Sequence, residues 1–390
     1  MINSIREEAD KLLHNRMYVI ILFIIPIAAN LLIGLVFDSG QITHIPMAVV
    51  DYDQSALSRG IIQQFADEET FSLKYILQDE ERLKSMLQSG EISTGMIIPG
   101  NFSSDVSMLK APNILMIYDG SHMPVASTAK AKASEILLTL KTGAAMKLIG
   151  GKLAMPGDAA RKTALTIGFK NRFLYNPAKS YKYSLNPGLG AAVVQTAIVL
   201  LGAVCINREK LLGSFGRAMG YIAGKVIFFG VMGTVAFMLS IFIQSVIFGV
   251  PFQGGIGESL LLSLFMAFAE AACAVTISVW VSETAFASLL AAVLFIPSTA
   301  LGGYTWPIMS MPRVYQSLAY LMPFAHYGDS LRSLYLKGVS LYKLLPEIKW
   351  LSGYISAMLV TSAVGVIVWN LPAIKGIPGA AREGKADGIH

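Results

Sequence analysis

The residues with chemistry to offer are few, and some sit in unusual places. Glu270 falls near the middle of a long apolar run, where an ionisable side chain costs enough in lipid to be a functional candidate by default. A transport role stands beside the plainer reading of a neutral carboxyl hydrogen-bonded to a neighbouring helix. Asn30, Gln195 and Gln244 lie in other apolar runs and are milder cases, for which helix-to-helix hydrogen bonds suffice. Asp51-Tyr52-Asp53 and Asp119-Gly120-Ser121-His122 have the residue types of metal or acid–base sites. Both directly follow strand-like runs, where Asp and Gly build turns, and the turn reading is preferred. The histidines His14, His44, His122, His326 and His390 are scattered, so no nucleophile–base arrangement follows from spacing, and no catalytic or metal residue is assigned. Cys205 and Cys273 both lie in apolar segments, which leaves no disulfide framework and no Cys-based metal site. There is no G-x-x-x-x-G-K-[ST] loop, so the chain does not cradle ATP phosphates by that route and binds no cofactor itself.

The elements that must position these side chains are membrane helices. Of 390 residues, 54% are hydrophobic and 14% charged, with a mean hydropathy of +0.56; a soluble domain carries about 25% charged residues. The formal charge of +6 lacks the basic runs interleaved with aromatics that nucleic acid requires, so no nucleic-acid partner is expected. A bilayer core of about 30 Å takes about 20 apolar residues in a helix. Six runs qualify: Met17–Phe37, Gly188–Ile206, Lys225–Val250, Ser259–Val281, Thr284–Gly303 and Trp350–Leu371. They lack period-2 alternation, which leaves helices as the form that satisfies its own backbone in lipid, with Pro26 and Pro297 as candidate kinks.

Six spans give the following organisation. Residues 1–16 form an amphipathic helix at the inner membrane surface, with Ile2, Ile5, Ala9, Leu12 and Leu13 against Arg6, Glu7, Glu8, Asp10 and Lys11. Residues 17–37 are the first span, an uncleaved anchor too long for a signal peptide. Residues 38–187 are an inserted external α/β domain, 188–371 hold five further spans, and 372–390 are a tail. Arg6, Lys11 and Arg16, then Arg208, Lys210 and Arg217, then Lys375, Arg382 and Lys385 fall on one side, which the positive-inside rule makes the cytoplasm. The stretch from Tyr304 to Lys349, with five basic residues, pulls the other way. Trp280 and Trp369 fall at inner ends and Trp306 and Trp350 at outer ends, where interfacial rings sit. In the inserted domain strand-like and helix-like runs alternate, which favours a small mixed or parallel sheet with helical cover. Its residues 38–119 carry 5 Lys/Arg against 12 Asp/Glu, whereas 120–187 carry 11 against 2; a solvated helix face is preferred over an anion-binding one for the basic half.

Two stretches carry a family resemblance. Residues 207–215, Asn-Arg-Glu-Lys-Leu-Leu-Gly-Ser-Phe, resemble the Glu-Arg-Glu-X-Gly-Thr-type cytoplasmic segment of type-2 ABC exporter permeases. Arg208, Glu209 and Gly213 match most directly; Ser214 stands where Thr is usual, and the spacing before Gly213 is longer than in that pattern. Gly302, Gly303, Tyr304, Thr305, Trp306 and Pro307, followed by Met311-Pro312, Gln316, Pro323 and Arg332, are similar to that family's segment after the fifth span. In the inserted domain Ile45–Asp51 with Asp53 and Ser55, then Gly90-Glu91, Ile97-Ile98-Pro99 and Phe102, extend the likeness over nearly the whole chain.

The resemblance implies that loop 207–218, with Arg208, Glu209, Lys210, Gly213 and Ser214, couples to a separate ABC ATPase that binds ATP and Mg. It also implies a second permease, identical or paralogous, alternating access in a bacterial plasma membrane, cytoplasmic termini, and a re-entrant outer segment over 304–349. Broken backbone of that kind survives near a membrane only when buried in protein or lining a cavity. Gly216, Gly220 and Gly224 recur every fourth residue, the spacing of close helix packing. The expected function is export of an amphipathic, lipid-like or drug-like substrate. Two rivals are an ion-coupled secondary transporter using Glu270, against which no repeated half with matched broken helices is visible, and a membrane-anchored receptor or assembly platform, suggested by the inserted domain.

Overall fold

The computed structural model describes residues 1–108, 110, 112–153 and 174–374. In chain order its elements are α1 (Ile2–His14), α2 (Arg16–Val36), β1 (Ile45–Asp51), α3 (Ala56–Ala66), β2 (Phe71–Leu77), α4 (Glu80–Ser89), β3 (Thr94–Ile98), α5 (Phe102–Ser107), β4 (Leu115–Tyr118), α6 (Met123–Leu153), α7 (Tyr181–Gly202), α8 (Phe215–Ile247), α9 (Ile256–Trp280), α10 (Thr284–Leu301), α11 (Arg313–Tyr320), α12 (Pro323–Lys337) and α13 (Leu341–Ile374). Two compact units result, Met1–Gly40 with Phe173–His390, and Gln41–Arg172.

In the helical unit α2, α7, α8, α9, α10 and α13 are long and apolar enough to cross a membrane, six among the described residues. Several run further than their apolar cores. α7 starts at Tyr181, not Gly188, and keeps Pro187 inside it. α8 starts at Phe215, ten residues before Lys225, and α13 at Leu341, nine before Trp350. The region read as 38–187 therefore gives its last residues to a spanning helix, and the segment read as 304–349 gives up 341–349. A polar first turn continues a helix without raising hydropathy, so the apolar run marks the lipid-facing middle of each helix and not its ends.

α9 lies at the centre of this unit. Ala267, Ala269, Ala271, Ala272 and Ala274 are all buried, and such small side chains let helix backbones approach closely. α2, α10 and α13 instead present bare apolar faces, Leu32 and Leu35 on α2, Phe286, Leu289 and Val293 on α10, and Val360 and Val364 on α13. Those faces suit lipid contact. α2 and α8 each contain a π turn, Ile20–Ile24 and Ile243–Ile247.

The second unit is an α/β module with strand order β2-β1-β3-β4. β1 pairs in parallel with β2 and β3, and β4 closes the other edge antiparallel to β3. Successive β1 residues point to opposite faces. Met47 and Val49 pack with Phe65 of α3 and Ala129 and Ala133 of α6, while Ala48 and Val50 pack with Leu83 and Met86 of α4. A strand covered on both sides reads as an unbroken apolar run, which is how Ile45–Val50 reads. Ser55 caps α3 through Ser58 N at 3.0 Å, and Asp79 caps α4 through Glu81 N at 3.1 Å.

Candidate coupling loop and buried polar groups

The loop after α7 folds as a single 3-10 turn over Arg208–Leu211, shorter than a coupling helix, opened by Asn207 accepting from Glu209 N at 3.0 Å. Its inner side is tied down. The Arg208 guanidinium lies 3.9 Å from the Trp369 ring centroid and donates to Val279 O at 3.4 Å; burial lowers its pKa. Asn370 donates to Leu211 O at 3.0 Å and accepts from Gly213 N at 2.9 Å. Gly213 has φ +97°, a backbone angle that side chains disfavour. Glu209, Leu212, Gly213, Ser214 and Phe215 are exposed, so the loop shows outward one carboxylate beside two apolar side chains.

Lys210 connects this loop to the N-terminal helix through Glu7 at 2.5 Å. Glu7 also lies 3.4 Å from Lys225 and 3.7 Å from Lys11. Burial pushes the Glu7 carboxyl up, but Lys210, Lys225 and Lys11 outweigh it and hold its pKa below the usual value. Lys225, inside α8 and fully buried, pairs with Glu8, which is itself fully buried and accepts from Lys11 at 2.7 Å. Ser4 Oγ adds a bond to Tyr221 O at 2.9 Å. The face that α1 buries therefore includes Ser4 and Glu8, while Ile2 and Leu13 are exposed at 75% and 78%. This corrects the expectation that Glu8 sits on a solvated face. Sequence reading missed the network because it began the third span at Lys225; a lysine one turn or more inside an apolar helix, with an acid available on an adjoining amphipathic helix, was the signal.

The glycine stripe meets α1 unevenly. A Cβ on Gly224 would sit 2.7 Å from Met1 O, one on Gly220 3.5 Å from Met1 N, and one on Gly216 would meet nothing within 4 Å.

Asn30, Gln195 and Gln244 all bond between helices. Asn30 donates to Gly190 O at 3.4 Å and accepts from Ser240 Oγ at 2.8 Å and Gln244 Nε2 at 3.2 Å, so α2, α7 and α8 share one polar knot. Gln195 donates to Phe295 O at 3.1 Å and Ser298 Oγ at 2.9 Å, joining α7 to α10 beside Pro297. Glu270 is different. It is fully buried in α9, and neither carboxylate oxygen has a hydrogen-bond partner among the described residues. The neutral carboxyl bonded to a neighbouring helix is therefore not what the structure shows.

After α10 the chain breaks as its glycines and prolines dictate. Gly302 sits where a Cβ would come 2.6 Å from the Phe324 ring, and Gly303 has φ +77°. Pro307 precedes a 3-10 turn at Ile308–Ser310, Pro312 precedes α11, and Pro323 opens α12. Arg332 donates to Tyr304 O at 2.6 Å and lies 4.2 Å from its ring centroid; burial, opposed by Arg332, pushes the Tyr304 phenol up to about 12. His326 has a ring nitrogen facing Glu347 at 2.5 Å and the other facing Tyr320 O at 3.0 Å, and its ring stacks on Trp350 at 3.7 Å.

In the α/β unit the acidic clusters bond to nearby backbone N–H groups and serines, Asp51 Oδ2 accepting from Ser58 Oγ of α3 at 2.7 Å. Asp51 Oδ1 accepts from Asp53 N and Gln54 N at 3.1 and 3.0 Å, and Asp53 Oδ1 from Ser103 N and Oγ at 3.2 and 3.0 Å. Burial raises the Asp53 pKa, but bonds from Ser55 and Ser103 outweigh it and lower the net value. Asp119 Oδ1 accepts from Ser121 N at 2.9 Å. Among the described residues no group of three or more His, Cys, Asp or Glu is placed to hold a metal ion. Part of the basic half, residues 154–173, and the tail from residue 375, lie outside the described residues.

Six apolar helices among the described residues, knotted by buried polar groups and with a small mixed-sheet domain inserted after the first, define a multi-pass helical membrane protein. The chain belongs to the ABC-2 family of transporter proteins, whose description matches residues 16–364. Members are membrane subunits, so an ABC ATPase is the partner that family membership implies. The chain is 21% identical over 344 residues to the Escherichia coli K12 protein named "Probable multidrug ABC transporter permease YbhR", covering 86% of this chain and 90% of that protein. It is 23% identical over 323 residues to "Inner membrane transport permease YhhJ" of the same organism, covering 79% and 81%. A 174-residue stretch is 25% identical to "ABC transporter G family member 20" of Dictyostelium discoideum, 43% of this chain and 24% of that one.

Proposed function

We propose that the chain is the permease subunit of an ATP-driven exporter that moves an amphipathic, lipid-like or drug-like substrate outward by alternating access. A separate ATPase binds ATP and Mg and docks on loop 207–218, a second permease, identical or paralogous, completes the pathway, and both termini are cytoplasmic. The membrane is the bacterial inner membrane, and the inserted α/β unit is external to it.

The observation that carries this reading is the two-sided coupling loop. Its inner side is fixed to the ends of α9 and α13 and to α1, while Glu209, Leu212 and Phe215 stay outward and exposed among the described residues. A loop fixed on one side and apolar on the other is suited to receive a partner and pass a displacement to three helices at once. Orientation is supported by geometry, since the N-terminal helix with Arg6 and Lys11, the loop with Arg208 and Lys210, and the end of α13 meet at one end of the bundle. The positive-inside rule favours the cytoplasm for that end.

The test is capture of a nucleotide-binding subunit by the solubilised chain, with ATPase activity as the second readout. Glu209→Ala with Leu212→Asp is expected to abolish capture while the variant elutes as the parent does, and Gly213→Pro to weaken it by removing the Asn370 bond and the φ angle. A folded parent chain that captures no ATPase under conditions preserving complexes overturns the reading.

A further inference from the structure

Ser263, Glu270 and Tyr327 share a defect that evolution of a packed core would remove. All three are fully or almost fully buried, and Ser263 Oγ, Glu270 Oε1, Glu270 Oε2 and Tyr327 Oη have no hydrogen-bond partner among the described residues. Ser263 and Glu270 are seven residues apart on α9, two helical turns, and so lie on one face. Tyr327 comes from α12, which packs against α9. The Tyr327 ring centroid lies 5.0 Å from that of Phe237 on α8, and α8 meets α9 at Gly230 and Gly233, against Phe268 and Ala267, between Ser263 and Glu270.

Among the described residues no cationic side chain pairs with Glu270. Lys225, fully buried in the same unit, is committed to Glu7 and Glu8 of α1. What the cluster lacks is therefore a positive charge bearing hydrogen-bond donors or an apolar shell. Aromatic rings stand beside it, with Phe237 at 5.0 Å and Phe324 at 6.5 Å from the Tyr327 ring centroid. Ring faces attract cations more strongly where water is excluded.

We propose that Ser263, Glu270 and Tyr327 form a recognition site for the charged centre of a lipophilic cation, between α9 and α12 inside the membrane unit. The proposal rests on the exporter reading for its place in a transport cycle, but binding itself does not need the ATPase. The carboxylate supplies the counter-charge, the two hydroxyls supply acceptors to a protonated amine, and Tyr327, Phe237 and Phe324 supply ring faces to a quaternary or phosphonium centre. In the conformation described here α9 and α12 are closed on the site. α12 is joined to α10 through the glycine- and proline-broken segment 302–323, a connection that lets it part from α9 when the pathway opens.

The experiment is binding of tetraphenylphosphonium to the full chain in lipid nanodiscs without any ATPase, by equilibrium dialysis against empty nanodiscs, with neutral triphenylphosphine oxide as the comparison. The parent chain is expected to bind the cation in preference to the neutral compound. Glu270→Gln is expected to weaken cation binding about tenfold or more and leave the neutral compound unaffected. Glu270→Leu is expected to abolish cation binding and at the same time raise the thermal midpoint, because an unmatched buried polar group is replaced by one that belongs there. Cation binding unchanged in Glu270→Gln, or absent from the parent chain, overturns the site. A large fall in thermal midpoint for Glu270→Leu would show a structural role and overturn it equally. Because no ATPase is present, failure here leaves the exporter reading standing, and failure of ATPase capture leaves this result intact.

Discussion

Lys225→Met removes a positive charge from a place where water does not reach. Lys225 and Glu8 are both fully buried, and breaking a buried ion pair by deleting one partner costs about 3–5 kcal/mol because the survivor is left uncompensated. Here the survivor keeps a second partner. Glu8 retains Lys11 at 2.7 Å, and in the reciprocal variant Glu8→Gln, Lys225 retains Glu7 at 3.4 Å. Lys11 and Glu7 are 38% and 28% exposed, so each offers weaker, partly screened compensation. The expected cost of either single change is therefore below that range, about 2–3 kcal/mol. The double variant Glu8→Gln, Lys225→Met should cost well under the sum, with an interaction energy of about 2 kcal/mol. The assay is a double-mutant cycle on unfolding of the chain in a single detergent, with each variant first shown to elute as the parent does. Two results refute the reasoning: single changes costing under about 0.5 kcal/mol, as for an exposed pair, or strict additivity, which would mean that the two charges do not feel each other.

Gly213→Ala places a side chain at φ +97° and should cost about 1–2 kcal/mol locally, read as faster hydrogen exchange over residues 208–214 with α9 unchanged. The Glu7 carboxyl is held below its ordinary pKa, so its contribution is complete above the unfolded-state value and is lost as pH falls through the folded one. Parent and Glu7→Gln unfolding should therefore differ at neutral pH and converge in acid, by a small amount because Glu7 is partly solvated. His326→Phe keeps a ring against Trp350 but removes the contacts to Glu347 and Tyr320 O. It should loosen α11, seen as faster exchange over Arg313–Tyr320 with α7 unaffected.

The spans were readable because lipid imposes length and hydropathy on each helix, and β1 and the cap at Ser55 were readable because local rules dictate them. Helix ends were not, since Tyr181 and Phe215 begin turns that look polar from the chain alone. α5 went unseen because six residues starting at Phe102 carry too short a pattern to register. The loop residues Arg208, Glu209 and Gly213 could be picked out by type and spacing. Their anchors could not, because Trp369 and Asn370 are more than 150 positions away and only tertiary packing brings them back. Glu270 stood out as a charge in an apolar run, whereas its companions Ser263 and Tyr327 are ordinary residues until the fold leaves their hydroxyls without partners.

The Asn370 side chain meets the loop as one peptide group meets another. Its amide gives a proton to Leu211 O and takes one from Gly213 N, so a single residue extends the sixth spanning helix by what amounts to one rung of a β-ladder. Asp would turn the donor into a second acceptor facing a carbonyl, Leu would strand both loop groups, and Gln would overshoot by a methylene. The position is thus close to monogamous in sequence, and the spacing between Leu211 and Gly213 is fixed along with it. An insertion in this loop can be absorbed before Leu211 or after Gly213, but not between them.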